Sequence, residues 1–357
     1  MQKMTDLEKL CSRVTEAADC AVITDDVNRR YFTAMKSSAG TLVVFPEKAY
    51  FIIDFRYIEK AKKTVTACEV ILQDKLYEQI NSLIKKHGAK TVSVNADTCT
   101  LSELIAYQQK LNAEVIADTK LAEIIREIRT VKSQEQIDKI IKAQRIAEKG
   151  FAHMLDFIKV GRTEKEIQLE LDYYMLKNGA EALSFDTIAL SGSNTSLPHG
   201  VPSDKKVESG EFVLMDFGAT YDGWHSDMTR TVCVGKPSDK MKSVYETVLT
   251  AQLSALDAVK AGMPGKALDK IARDIITEAG YGDNFGHSLG HGVGVEIHES
   301  PYASPSREDI LPENSIVTVE PGIYLEGKFG VRIEDFVVVT ENGCINMTKA
   351  PKELICL

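Results

Sequence analysis

Residues 211–234 read EFVLMDFGATYDGWHSDMTRTVCV and form two largely apolar runs on either side of Asp222-Gly223. An Asp-Gly pair between such runs is typical of a two-residue β-hairpin turn. This turn predicts a register in which the numbers of paired residues sum to 445. Because side chains alternate along a strand, Asp216 and Asp227 then point to the same face as diagonal neighbours.

The setting of the first of these carboxylates is apolar. Residues 212–217 are all apolar except Asp216, as expected of a strand buried on both faces. A buried carboxylate must be paired with a cation, protonated or bound to a metal ion. For one aspartate, pairing with Arg230 or another cation is the simpler interpretation. Two carboxylates on one face favour a metal site.

A second pair of apolar segments repeats this arrangement. Residues 315–325 read SIVTVEPGIYL and residues 331–340 read VRIEDFVVVT, and the Gly-containing loop between them predicts another hairpin. These segments contain Glu320 and Glu334. Arg332 shares the face of Glu334, so a buried Arg332–Glu334 ion pair is an alternative to metal binding. That pair leaves Glu320 unexplained.

The carboxylate-bearing segments belong to a longer internal repeat. KVGRT at 159–163 and KAGMP at 260–264 each precede a predicted helix, and these helices end near Gly179 and Gly280. A His-containing, Gly-rich stretch and paired strands follow each helix. An offset of about 100 residues is too long for a solenoid. Two copies predict a pseudo-two-fold domain with a site where the halves meet.

Four of the seven histidines lie in two short stretches. His199 is in SLPHG, and His287, His291 and His298 are in FGHSLGHGVGVEIHE. The glycines of the second stretch exclude a helical chelating pair and permit close backbone approach. Four carboxylates with at least one histidine suit Mn²⁺, Fe²⁺, Co²⁺ or Zn²⁺, and two bridged ions would activate a water. These residues predict hydrolytic chemistry.

Composition excludes several other classes of protein. The chain has 357 residues and a net charge of −9, without a basic block, so nucleic-acid binding is not expected. It contains no apolar run long enough to cross a membrane. The seven cysteines form no CxxC pair, and the N-terminus lacks an apolar signal core. We therefore expect a cytoplasmic protein with reduced thiols.

The first part of the chain predicts a separate α/β domain without a cluster of metal-ligating residues. Strands are predicted at 21–24, 40–45, 49–54 and 91–94, and helices at 5–18, 75–87 and 101–111. Ser133 and Gln136 form a capping box at the start of the next strong helix. We therefore predict an N-terminal domain at residues 1–126 and a catalytic domain at residues 127–357.

Four motifs in the second domain resemble those of the pita-bread metallopeptidases, which include methionine aminopeptidase, aminopeptidase P and prolidase. They are MDFGATYDGWHSDMTRT, GHGVGVEIHE, TVEPGIY and RIED, and the match runs in the expected order from about residue 127 to 345. The resemblance implies an α+β pita-bread catalytic domain with an internal pseudo-two-fold repeat. The segments YFTAMKSSAGTLVVF and YFIIDFRYIEKA look like the N-terminal domain of the prolidase and aminopeptidase P branch.

The same resemblance implies a ligand set for two divalent metal ions. Asp216 would bind one ion with both oxygens, Asp227 and Glu334 would bridge the two ions, and His291 and Glu320 would complete the other. Mn²⁺ is the first expectation, with Co²⁺ or Zn²⁺ as alternatives.

Further residues receive catalytic and substrate-binding roles from the resemblance. Glu320 would shuttle a proton. His298 would contact the substrate carbonyl and stabilise the tetrahedral intermediate. His199 and His287 would line the substrate pocket, with His199 also contributing to catalysis. Arg332 would hold the bridging carboxylate and contribute to substrate binding.

The implied function is hydrolysis of Xaa-Pro peptide bonds by a metal-bridging hydroxide, in a homodimer that acts on short peptides with proline at the second position. Whether the enzyme is an Xaa-Pro dipeptidase or an Xaa-Pro aminopeptidase stays open. One alternative is a methionine aminopeptidase-like enzyme, which the N-terminal domain disfavours. Another is a non-catalytic, peptide-binding pita-bread protein, which would be expected to lack metal ligands.

Overall fold

Two compact units make up the chain, one ending at Arg129 and the other running from Thr130 to Leu357. The computed structural model describes residues 4–357. The boundary predicted between residues 126 and 127 falls inside a continuous helix, Lys120–Thr130. The exact residues at which the two domains begin and end stay a prediction.

Six strands of the N-terminal unit form one mixed sheet with the order β4-β3-β2-β1-β5-β6. The strands are β1 (Cys20–Ile23), β2 (Thr41–Val44), β3 (Ala49–Ile53), β4 (Glu69–Leu72), β5 (Thr91–Val94) and β6 (Glu114–Ile116). The helices are α1 (Asp6–Arg13), α2 (Asp26–Thr33), α3 (Ile58–Thr64), α4 (Leu76–His87), α5 (Leu101–Lys110) and α6 (Lys120–Thr130). The four predicted strands are confirmed. The edge strands β4 and β6 were not predicted, because they are short and part-exposed and lack a clear alternation.

The second unit combines long helices with short antiparallel sheets. Its helices are α7 (Gln134–Phe157), α8 (Glu164–Lys177), α9 (Asp239–Ala258) and α10 (Gly265–Glu278). Its first strands are β7 (Ala182–Leu183), β8 (Ile188–Ser191), β9 (Glu211–Phe217), β10 (Ala219–Tyr221), β11 (Trp224–His225) and β12 (Met228–Val234). The later strands are β13 (Gly290–Gly292), β14 (Glu299–Ala303), β15 (Ile316–Val319), β16 (Gly322–Leu325), β17 (Phe329–Arg332), β18 (Asp335–Thr340) and β19 (Gly343–Asn346).

The internal repeat is visible in matching backbone contacts before α8 and α10. Gly161 N donates to Val207 O, and Gly262 N donates to Leu311 O, each at 2.9 Å. Both glycines have positive φ, 89° and 79°. The same turn therefore starts each helix and ties it to the chain that leads into β9 or β15. The predicted pseudo-two-fold repeat is confirmed.

The predicted hairpin has the predicted register. Asp222 and Gly223 adopt φ values of 49° and 81°, the left-handed pair that a tight turn of this type requires. Beyond the turn, Met228 pairs with Phe217 and Thr229 with Asp216, so each pair sums to 445. In the second half, β15 pairs with β18 and β16 with β17, which confirms the second hairpin.

Strand β9 is buried on both faces, as the sequence predicted. Phe212 packs in a cluster with Val244 of α9, whereas Met215 packs in another cluster with Leu171 of α8. The strand is therefore a rigid element between two hydrophobic clusters, and Asp216 near its end is held by that packing. Among residues 4–357, no helix combines the length and apolar character needed to span a bilayer.

Candidate active site

The two hairpins bring their carboxylates to one cavity of about 500 Å³. Asp216 comes from the end of β9, and Asp227 directly precedes β12. Glu320 follows β15, and Glu334 precedes β18. All four line the cavity together with His291 of β13. The five residues to which the resemblance assigned metal binding thus lie together, although the first and the last, Asp216 and Glu334, are 118 positions apart in the sequence.

Glycines let the histidine-bearing strand approach the second hairpin. A Cβ atom at Gly290 would lie 1.9 Å from the carbonyl oxygen of Thr318, so only glycine fits there. His291 N donates to Thr318 Oγ1 at 3.0 Å. The ring Nδ1 lies 3.1 Å from Gly292 O, an arrangement that places a proton on Nδ1 and turns Nε2 toward the carboxylates. The close backbone approach predicted from the glycines is confirmed.

Three of the ligand groups are close enough to share one ion. Suitable atoms of Asp227, His291 and Glu334 all lie within 4.8 Å of one another. His291 Nε2 is 3.7 Å from Asp227 Oδ2 and 3.3 Å from Glu320 Oε1. This is the only such group of histidine, cysteine or carboxylate ligands within residues 4–357.

The carboxylates repel one another strongly. Burial, followed by the charge of Asp216, raises the pKa of Asp227 well above its ordinary value. Burial and the charge of Asp227 likewise raise the pKa of Glu334 well above its usual range. Buried like charges at this spacing stay ionised only when cations compensate them. The cluster therefore has the electrostatics of a cation site.

Glu320 and His291 behave as an ion pair. Burial opposes the charge of the imidazole, but the hydrogen bond and charge of Glu320 raise the pKa of His291 to about 9. Burial also opposes ionisation of Glu320, yet the hydrogen bond from His291 lowers the pKa of Glu320 to about 2. Glu320 also accepts a hydrogen bond from Thr318 Oγ1 at 3.2 Å. Glu320 is therefore the carboxylate of the cluster that is held in its ionised form.

Arg332 contacts Asp216 and not Glu334, so the Arg332–Glu334 ion pair considered as an alternative to metal binding is not formed, and Arg332 reaches Glu334, expected to bridge the ions, only through Thr229. Its Nη2 is 2.5 Å from Asp216 Oδ2. Nε donates to Thr229 Oγ1 at 3.0 Å, and that hydroxyl donates to Glu334 Oε2 at 2.8 Å. The chain leaves one strand pair and enters another between Arg332 and Glu334, so the alternation rule does not hold across the break.

One oxygen of Asp216 is left without a partner. The cation pairing considered for this residue is present through Arg332, whereas Arg230 lies 2.7 Å from Asp335. Arg332 contacts only Oδ2 of Asp216. The other oxygen, Oδ1, is buried and has no hydrogen bond. Such an orphaned buried oxygen carries a desolvation cost unless a ligand compensates it. The carboxylate-rich, nitrogen-poor donor set and this orphaned oxygen fit divalent metal ions.

Three further histidines line the same cavity: His199, His287 and His298. The ring of His298 stands edge-to-face against His291, with centroids 4.3 Å apart. Burial and the charge of His291 lower the pKa of His298, and burial lowers the pKa of His287. Both rings are therefore neutral near pH 7. The structure places all three predicted pocket histidines together.

Tyr324 links a pocket histidine to the carboxylate cluster, and sequence reasoning gave it no role. Its hydroxyl lies 2.9 Å from His287 Nε2 and accepts a hydrogen bond from Arg332 Nη1 at 2.8 Å. The residue is in the quoted TVEPGIY motif, four positions after Glu320, but nothing in the local pattern indicated its long-range partners. The apolar part of the cavity wall was also missed; it consists of Phe185, Ile188, Pro198 and Ile297.

The fold and the site define a metallopeptidase. The sequence profile of the metallopeptidase family M24 matches residues 138–341, and that of the creatinase/prolidase N-terminal domain matches residues 7–131. The chain belongs to metallopeptidase family M24. It is a metallo-exopeptidase with an N-terminal creatinase/prolidase-type domain and a pita-bread catalytic domain, and the predicted fold class and enzyme class are confirmed.

Similar proteins cover nearly the whole chain. A structure of an Xaa-Pro dipeptidase from Bacillus anthracis superimposes with a TM-score of 0.95 and 42% identity, covering 99% of each chain. An X-Pro aminopeptidase from Thermotoga maritima gives a TM-score of 0.90 and 39% identity, covering 95% of this chain and 98% of its own. The Xaa-Pro dipeptidase of Pyrococcus furiosus is 40% identical, covering 98% of this chain and 99% of that relative.

Proposed function

We propose that this protein is an Xaa-Pro exopeptidase that hydrolyses short peptides with proline at the second position. The observation that carries the proposal is the convergence of Asp216, Asp227, His291, Glu320 and Glu334 on one cavity, with Asp216 Oδ1 buried and unpartnered. The names of the similar proteins support the choice of substrate. They include both a dipeptidase and an aminopeptidase, so we leave peptide length open.

The five clustered residues would hold two divalent ions. Asp216 would help to hold one ion, His291 and Glu320 would help to hold the other, and Asp227 and Glu334 would contribute to both. When bound, such ions lower the pKa of a water and polarise the substrate carbonyl. Mn²⁺ is our first choice, because the donor set is rich in carboxylates and contains one imidazole.

The residues of the chain divide the remaining tasks. Glu320 would accept a proton from the attacking water at a carboxylate oxygen and return it to the leaving nitrogen. His298 presents a neutral ring that donates to the substrate carbonyl oxygen as negative charge develops there. His199 and His287 bind and orient the peptide. Arg332 fixes Asp216 by its 2.5 Å contact, and its direct contact with substrate stays a prediction.

An Xaa-Pro bond is an unusual substrate because its nitrogen carries no hydrogen. A site that depends on the carbonyl side of the bond, as this one would, does not need that N–H. The apolar wall of Phe185, Ile188 and Ile297 offers a surface for the pyrrolidine ring. This combination favours the proline-specific proposal over a methionine aminopeptidase-like activity.

Two assays test the proposal. Protein reconstituted with Mn²⁺ should hydrolyse Xaa-Pro and Xaa-Pro-Yaa peptides and leave Xaa-Ala peptides largely intact. Metal analysis should find close to two ions per chain, and Asp227→Asn should lose metal at both positions because Asp227 would contribute to both. Asp222→Asn is a matched control, since Asp222 lies at the exposed hairpin turn. Absence of Xaa-Pro hydrolysis would contradict the proposed activity. Full metal content in Asp227→Asn would contradict the proposed role of Asp227 at both metal positions.

The proposal also covers the oligomeric state and the cellular location of the enzyme. We propose a homodimer that works in the cytoplasm. The cytoplasmic assignment is supported by the seven cysteines, none of which forms a disulfide bond.

A further inference from the structure

The segment that carries His199 has little regular structure of its own. It connects β8 to β9, begins with a single 3-10 turn at Gly192–Ser196 and continues through Pro198 to Ser203. Loops of this kind hold a side chain in place only when other elements fix them. The position of His199 in the cavity therefore depends on what anchors residues 191–203.

A single buried carboxylate closes this segment. Glu164, the first residue of α8, is 0% exposed. Its Oε1 accepts hydrogen bonds from Ser191 N at 2.7 Å, Ser191 Oγ at 3.1 Å and Asn194 Nδ2 at 3.0 Å. Its Oε2 accepts from Ser203 N at 3.0 Å and Ser203 Oγ at 2.6 Å. Ser191 and Ser203 flank His199 in the sequence, so one side chain ties together both ends of the segment.

The chemistry of these contacts requires a carboxylate. Two of the donors are backbone N–H groups, which can only donate, and they approach different oxygens of Glu164. An amide in its place would turn one oxygen into a donor that faces another donor. A buried donor would then be left unsatisfied, which weakens the anchor.

The other side of the segment is fixed by the second half of the repeat. Gly330 N donates to Thr195 Oγ1 at 2.8 Å, and a Cβ at Gly330 would lie 2.2 Å from Thr195 O. Arg332 Nη1 lies 3.4 Å from the carbonyl oxygen of Pro198, next to His199. The segment is thus held between α8 and β17, and the side chain of Glu164 provides the hydrogen bonds from α8 to Ser191 and Ser203.

We propose that Glu164 is a positioning residue that sets the location of His199 in the substrate cavity. The inference rests on the proposed function, because the location of His199 matters only when the cavity binds peptide. Glu164 makes no contact with the cavity itself, and its effect on turnover passes through His199. This effect differs from a general contribution to folding, which would be independent of His199.

A double-mutant cycle tests the inference. Kinetic constants on an Xaa-Pro substrate are measured for the wild type, Glu164→Gln, His199→Ala and the double variant. Because a displacement of about 1 Å can cost about 10²-fold, we expect Glu164→Gln to lower kcat/KM by about tenfold to a hundredfold. This loss should be divided between kcat and KM in the same way as the loss in His199→Ala. The kcat/KM of the double variant should be no lower than that of His199→Ala. Losses that multiply in the double variant would overturn the proposal.

Two further variants keep the test decisive. Glu166→Gln removes the same charge from the same helical turn, but Glu166 is exposed and bonds to Thr163 and Arg162, so it should keep wild-type kinetics. Ser203→Ala removes the 2.6 Å hydroxyl contact with Glu164 and the hydrogen bond that this hydroxyl accepts from Lys205 N at 3.1 Å, but it keeps the contact from Ser203 N. It should show a smaller loss with the same non-additivity, even if Glu164→Gln fails to fold. A wild type inactive on all Xaa-Pro peptides would overturn both proposals, whereas an active wild type with multiplicative losses would overturn only this one.

Discussion

The ionised form of Glu320 in the metal-free protein is stabilised mainly by its contact with His291. The contact with His291 at 3.3 Å keeps the carboxylate ionised, and a backbone N–H···O bond from Glu320 N to Leu289 O at 2.9 Å fixes its main chain. We expect Glu320→Gln to fold and to retain much of its metal, because the other ligands remain. Turnover should fall by about 10²–10⁴-fold, the usual contribution of general acid–base catalysis.

The matched control for this change is Glu326→Gln, which alters an exposed carboxylate between β16 and β17. Steady-state kinetics and metal analysis of both variants give the comparison. Near-normal turnover in metal-replete Glu320→Gln would reject the proton-shuttle role. Loss of all metal together with activity would instead show that Glu320 acts mainly as a ligand.

At the scale of elements, strand β13 depends on glycine for its approach to β15. The clash at Gly290 involves a backbone oxygen of Thr318, which cannot move without displacing the strand that leads to Glu320. We expect Gly290→Ala to destabilise the protein by about 1–3 kcal/mol, the usual cost of inserting an atom into a packed region. His291 should shift away from the carboxylates, so metal affinity should fall as well.

Gly286→Ala is the matched control, because Gly286 lies in the same glycine-containing stretch but a Cβ there would meet nothing within 4 Å. Thermal unfolding and metal titration of the two variants are compared. Equal metal affinity in Gly290→Ala and the wild type would show that the approach of β13 does not set the position of His291.

Local sequence rules predicted the hairpins but not the contacts between them. The Asp-Gly turn fixes the register from β9 to β12, because the numbers of paired residues follow from the turn alone. The partner of Arg332 depends instead on how β17 lies against β9, more than 100 residues earlier, which no alternation pattern contains. Glu164 was missed for the same reason, since it looked like an ordinary acidic residue in the first turn of a capped helix.

The charge cluster makes the stability of the whole molecule depend on pH and metal. The pKa of His291 is about 9 in the folded chain and about 6.5 when unfolded, so its contribution is present below pH ~6.5 and lost as pH rises toward 9. Asp227 and Glu334 also have raised pKa values and bind more protons when folded, so they act in the same direction. We expect the Tm of metal-free protein to fall between pH 6.5 and 8.5.

Added Mn²⁺ should oppose this loss, because metal binding needs the deprotonated ligands that become available as pH rises. Calorimetry with and without a chelator at both pH values measures the effect. The increase in Tm caused by metal should be larger at pH 8.5 than at pH 6.5, and Asp227→Asn should reduce that difference. A metal-free Tm that rises with pH would contradict the electrostatic description of the site.

Within residues 4–357, the one group of potential metal ligands lies entirely in the second unit, so the described part of the N-terminal unit holds no such group. A complete α/β unit of this size is expected to serve a geometric purpose. We predict a homodimer in which the N-terminal unit of one copy narrows access to the active site of the other, since closed homodimers are the commonest oligomers. Such a cover would exclude water and long chains together and strengthen the electrostatics inside.

Light scattering at working concentration tests the dimer. A dipeptide, a tripeptide and a peptide of about 10 residues, each with proline second, test access, because an extended chain of about 10 residues spans roughly 33–36 Å. We expect kcat/KM to decrease strongly for the longest peptide. Xaa-Ala peptides of the same lengths control for non-specific hydrolysis. A monomer that cleaves all three proline peptides equally well would contradict the prediction, because neither assembly nor substrate length would then depend on the N-terminal unit.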